Sequence, residues 1–124
     1  MFRLALSSLG VAALATVLFL VPAWGGSAKS AALVGEVGPG FKIEVVTKAD
    51  KDVKTIKAGT YRIKVEDKAS IHNFHLIGPG LNKKTGISFK GETTWTIKLK
   101  PGRYTYQCDP HAARGMKGHF RVTA

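Results

Sequence analysis

The sequence has one cysteine, Cys108, and that scarcity excludes more than any other feature. A lone thiol allows no internal disulfide, and it rules out a tetrathiolate zinc site, a cysteine-ligated iron–sulfur cluster and a two-cysteine dinuclear copper centre. Acids are also scarce: 8 Asp and Glu against 19 Lys and Arg give a formal net charge of +11. Beyond the N-terminal segment no window carries an amphipathic helical stripe, and no Met-rich or His-rich tract is present. With 124 residues, 44% of them hydrophobic, the chain has material for one core and not for two.

What is there begins with an export-like segment. Arg3 supplies one positive charge, Leu4 to Val21 is an uncharged apolar run, and small residues follow through Ala28. Residues 1–28 are expected to be either an export signal, cut after Gly25, Ala28 or Ala32, or a retained N-terminal anchor. Either way the body is expected in the periplasm or another extracytoplasmic space. A free exposed thiol is a liability there, so Cys108 is expected to be buried, paired to another chain or used as a ligand.

The body, residues 33–124, has a period of two. Phe41, Ile43 and Val45 alternate with Lys42, Glu44 and Val46; Tyr61, Ile63 and Val65 alternate with Arg62, Lys64 and Glu66; Trp95, Ile97 and Leu99 alternate with Thr96, Lys98 and Lys100. Gly38-Pro39-Gly40, Ala58-Gly59, Gly78-Pro79-Gly80, Lys90-Gly91 and Pro101-Gly102 punctuate these runs as turns do. The pattern predicts seven or eight short antiparallel strands in an all-β two-sheet sandwich or Greek-key barrel. Lys57-Ala58-Gly59-Thr60-Tyr61 and Lys100-Pro101-Gly102-Arg103-Tyr104 repeat one device, a tight corner followed by an inward aromatic.

Tyr104, Tyr106 and Cys108 share a strand face, so the thiol is expected to point inward at the strand's end. Asp109-Pro110 turns the chain out, and the short loop that follows can bring His111 and Met116 to the same point. Asp109 itself reads as a turn residue. A thiolate, a thioether and an imidazole together favour copper over magnesium, calcium or manganese. A further donor is available in Ile71-His72-Asn73-Phe74-His75-Leu76, where strand alternation puts His72 and His75 on opposite faces. His72 shares the apolar face of Phe74 and Leu76 and is the candidate, while His75 is expected to face solvent or a hydrogen-bond partner.

Cys108-Asp109-Pro110-His111 followed by Met116, with His72-Asn73 upstream, resembles the blue copper proteins, or cupredoxins, and the plastocyanin branch in particular. The resemblance runs from about Phe41 to Val122 and implies a Greek-key β-sandwich holding one copper ion that cycles between Cu(I) and Cu(II). It implies His72, Cys108 and His111 as strong equatorial ligands and Met116 as a long axial one. Asn73 would then tie its strand to the ligand loop, and the edge of His111 would be the exit for the electron. Gln107 stands where plastocyanins commonly carry a tyrosine, which removes the basis for a second, remote entry patch. The basic charge also differs from the acidic docking surface of plant plastocyanins.

Lys83, Lys84, Arg114 and Lys117 are expected near the copper end, where they would steer an acidic redox partner such as a cytochrome or an oxidase, or hold the protein at an anionic membrane surface. Nucleic acid is not expected: Lys42, Lys54, Lys57, Lys64, Lys98 and Lys100 face outward with no interleaved aromatic platform. Gly78 to Thr85 lacks the second glycine of a phosphate loop and reads as a turn. The preferred reading is a monomeric one-electron carrier; the alternative is a non-redox copper-binding or copper-delivery protein. Enzymatic activity is not expected, because four protein ligands leave copper no open position.

Overall fold

Alternating apolar residues with outward Lys, Glu and Thr form strands because each can bury one face only. In the computed structural model, which describes residues 31–124, the elements run β1 (Ala31–Val37), β2 (Ile43–Thr47), β3 (Thr55–Lys57), β4 (Gly59–Asp67), β5 (His75–Gly78), β6 (Leu81–Lys84), β7 (Gly91–Leu99), β8 (Gly102–Gln107), a 3-10 helix (Asp109–Arg114) and β9 (Lys117–Thr123). One sheet has the order β2-β1-β4-β7 and the other β3-β9-β8-β5-β6. The export-like segment lies outside the described residues.

The strands that alternate most clearly in sequence are all present, and three others bring the described total to nine. β1 is rich in Ala, Gly and Val, so its two faces differ little in polarity. β3 has three residues, too few to show a period. β6 is the second arm of a hairpin inside the Gly78–Thr85 stretch that reads as a turn. Two pairings are parallel, β1 with β4 and β3 with β9. Side-chain alternation carries no signal of strand direction, and these parallel neighbours arise where the chain leaves the first sheet after β2, passes through β3 and returns at β4.

Leu33, Val45, Ile63, Val65, Trp95 and Ile97 from one sheet meet Leu76, Tyr104, Phe120 and Val122 from the other, with Phe74 from the segment leading into β5. The fit is tight: a methyl on Gly35 would lie 2.6 Å from the Phe74 ring. Tyr61 donates its hydroxyl to the Lys57 carbonyl at 2.6 Å, and the Tyr104 hydroxyl accepts the Lys100 N–H at 2.9 Å. The repeated Lys-x-Gly-x-Tyr device is therefore a corner locked by its own tyrosine.

Candidate metal centre

β5 begins at His75, not at Ile71, so His72, Asn73 and Phe74 belong to the segment that leads into it. His72, Asn73 and Phe74 are all buried, so strict alternation does not hold there, yet the two histidines still part company. His72, Phe74 and Leu76 are buried, whereas His75 is half-buried and faces the other way. Its ring nitrogens lie 2.7 Å from Asp109 Oδ1 and 2.6 Å from Asn82 Oδ1.

Cys108 follows β8 as the N-cap of the 3-10 helix with its thiol buried, and Pro110 in the helix's first turn has a fixed φ and no N–H to satisfy. The loop closes on itself: His111 N–H donates to the Cys108 carbonyl, Met116 N–H to the His111 carbonyl and Cys108 N–H to the Met116 carbonyl, at 3.0, 3.2 and 3.0 Å. Gly115 ends the helix at φ 93°, a left-handed conformation that glycine adopts without strain. Met116 is buried in the same cluster as Cys108.

The result is a triangle of donors. His72 Nδ1 and His111 Nδ1 are 3.0 Å apart, and Cys108 Sγ lies 3.6 Å from the first and 3.4 Å from the second. A point about 2.0 Å from both nitrogens and about 2.3 Å from the sulfur, ordinary metal–imidazole and metal–thiolate bond lengths, exists slightly to one side of the plane of the three atoms. His72 Nε2 faces the Pro39 carbonyl at 3.3 Å, so an N–H donated there leaves the Nδ1 lone pair for the triangle. Gly38, at φ +77°, makes that approach feasible, since a methyl there would stand 3.0 Å from the His72 ring.

Asp109 is a structural hub and not merely a turn residue. Its N–H donates to Asn73 Oδ1 at 2.7 Å, while its carboxylate accepts from Asn73 Nδ2 at 2.9 Å and from Gln107 Nε2 at 2.8 Å. Burial would raise the carboxyl, but the hydrogen bonds from Gln107, His75 and Asn73 outweigh it and hold the pKa at about 2. Asn73 Nδ2 also reaches the Thr85 carbonyl, and Thr85 Oγ1 accepts the Phe74 N–H. On the rim, Phe41 is 59% exposed and its ring lies 4.6 Å from that of His111, tilted by 54°. Nothing in the sequence marks Phe41 or Asp109 for these roles, because an aromatic before a strand and an Asp before proline are common for local reasons.

The model of the copper-binding proteins of the plastocyanin/azurin family matches residues 42–123. The chain belongs to that family. Like other cupredoxins it superposes on solved members. The copper protein rusticyanin is 30% identical, with a TM-score of 0.57 over 78% of this chain and 80% of that one. Reduced rusticyanin is 28% identical at a TM-score of 0.57, covering 78% and 81%, and rusticyanin from Thiobacillus ferrooxidans is 27% identical at 0.55, covering 78% and 79%. One thiolate with two imidazoles in this cupredoxin fold suits one copper ion, because the soft sulfur and intermediate nitrogens match copper's preferences.

Proposed function

We propose that the chain is a one-electron carrier working outside the cytoplasm, with His72, Cys108 and His111 as the strong ligands and Met116 as the weak axial one. The observation that carries this reading is the donor triangle, whose size already matches a bound metal. When bound, copper supplies a single electron's worth of oxidation and reduction. The chain's own part is to keep the donors still. The reciprocal hydrogen bonds of Asn73 and Asp109, and the three backbone bonds that close the Cys108–Met116 loop, fix both halves of the site, so little has to rearrange when charge changes. Met116 would be the weak fourth donor: its side chain is buried, its carbonyl accepts the Cys108 N–H, and a thioether sulfur donates weakly.

His111 is half-buried while His72 and Cys108 are buried, so the electron's shortest exit to a partner is through His111 and the Phe41 ring beside it. Lys84, Arg114 and Lys117 are exposed toward this end and favour an acidic redox protein such as a cytochrome or an oxidase. The export-like N-terminal segment and the sheltered thiol support the extracytoplasmic location. The test is repeated redox cycling of the copper-loaded protein: ascorbate should bleach it and ferricyanide restore its colour over many rounds. Copper that stays bound yet cannot be cycled would favour capture or delivery.

A further inference from the structure

The surplus of positive charge is unevenly placed on the sandwich. On the outer face of the four-stranded sheet, Glu44, Glu36, Glu66 and Glu92 stand in one register row across β2, β1, β4 and β7, toward the metal end. Like charges directly opposite each other repel. Lys42, Lys68 and Lys64 offset this by pairing with Glu44, Glu36 and Glu66 at 2.8, 3.1 and 2.6 Å. With Asp67 and Asp109 these make six acids at the metal end, set against Lys42, Lys64, Lys68, Lys84, Lys90, Arg114 and Lys117, so that end is close to charge balance.

The opposite end, the foot, is not balanced. Ala31 opens β1 there, paired with Tyr61, and the turns after Thr47, before Gly59 and after Leu99 lie beside it. Lys48, Lys51, Lys57, Lys100 and Arg103 are exposed on or next to these turns, with Asp50 and Asp52 the acids among them. None of the five cations is in an ion pair among the described residues. Lys98, at the lowest outward position of β7, and Arg62, the second outward position of β4, extend the same charge onto the sheet face.

We propose that the foot rests on an anionic lipid surface, with the metal end directed away from it. Charge complementarity is one argument, since clustered Lys and Arg beside an apolar segment attract acidic headgroups. Topology is the other: the apolar Leu4–Val21 run joins the sandwich through Ala31, at the foot and not at the metal end. An acidic redox protein docked at the foot would sit a full strand length from the donors. β4 alone, with 9 residues, spans about 30 Å, which is too far for efficient transfer to His111. The proposal stands on charge and topology, independent of the copper reading, and the colour of each variant reports on the site separately.

The experiment uses the full copper-loaded chain and its co-sedimentation with phosphatidylcholine vesicles with and without phosphatidylserine. The unsubstituted protein should show excess binding to the phosphatidylserine vesicles that added salt removes. The triple variant Lys57→Glu, Lys100→Glu, Arg103→Glu should keep its colour and lose that excess by about tenfold or more. A control with Lys84→Glu, Arg114→Glu and Lys117→Glu should retain it, and a soluble reductant should bleach the vesicle-bound protein as fast as the free protein. Retention of the excess by the foot variant, its loss in the control, or slowed bleaching on vesicles would each overturn the proposal. So would a foot variant that binds vesicles normally but fails to bind an acidic protein.

Discussion

Asn73 and Asp109 hold each other by two hydrogen bonds, the Asn73 carboxamide accepting the Asp109 N–H at 2.7 Å and donating to its carboxylate at 2.9 Å. One residue adjoins His72 and the other adjoins Cys108, so this pair joins the two distant parts of the chain that form the centre. Asn73→Ala should leave a buried N–H and the Thr85 carbonyl without partners and cost about 1–3 kcal/mol of stability. Copper affinity should fall by about 10–100-fold, as read by competition with a chelator. Unchanged affinity would mean the pair does not orient the ligands.

Asp109 gives the copper-free protein a pH signature. Its folded pKa of about 2 lies below the ordinary value of 3.8, so the ionised form is favoured by folding. Its contribution is present above the unfolded pKa and is lost as pH falls through the folded one. The stability gap between the unsubstituted protein and Asp109→Asn should therefore be constant above about pH 5 and shrink between about pH 4 and pH 2 in urea titrations. A gap independent of pH in that range would contradict the assignment.

Phe41 shields the His111 ring while remaining mostly exposed itself. Phe41→Ala should change stability by no more than about 0.5 kcal/mol, as for other exposed positions. It should lower the reduction potential, because water admitted beside the centre favours the more highly charged Cu(II). Voltammetry that gave an unchanged or higher potential would remove Phe41 from the shell that sets it.

Met116→Leu keeps the volume of a buried side chain and should cost less than about 1.5 kcal/mol. Colour should persist and the reduction potential should rise, since a weak donor that favours Cu(II) is lost. A potential that did not move would mean that Met116 only fills the core.

The strands flanking the site were legible because Ile63, Val65, Trp95, Ile97 and Tyr104 alternate with polar neighbours, and the choice of His72 over His75 followed from the same alternation. The direction of β1 against β4 was not, since residue periodicity is the same in parallel and antiparallel strands. The Cys108–His111–Met116 spacing announced the donor loop, and the resemblance to the blue copper proteins implied that Asn73, next to His72, ties the two parts together. Asp109 was hidden because its role depends on Asn73, His75 and Gln107 arriving from elsewhere in the fold. The Pro39 carbonyl that faces His72 was hidden too, because a backbone group has no residue-type signal. The charge surplus could be counted in sequence, but its concentration at the foot required the register.

The central claim is that His72, Cys108 and His111 bind one copper ion directly. Absorption spectra recorded as Cu(II) is added to the purified protein test it most directly. One equivalent should produce an intense visible band from thiolate-to-copper charge transfer, absent from Cys108→Ser and His72→Ala and retained by His75→Ala. The same band in Cys108→Ser, or its loss in His75→Ala with survival in His72→Ala, would contradict the account.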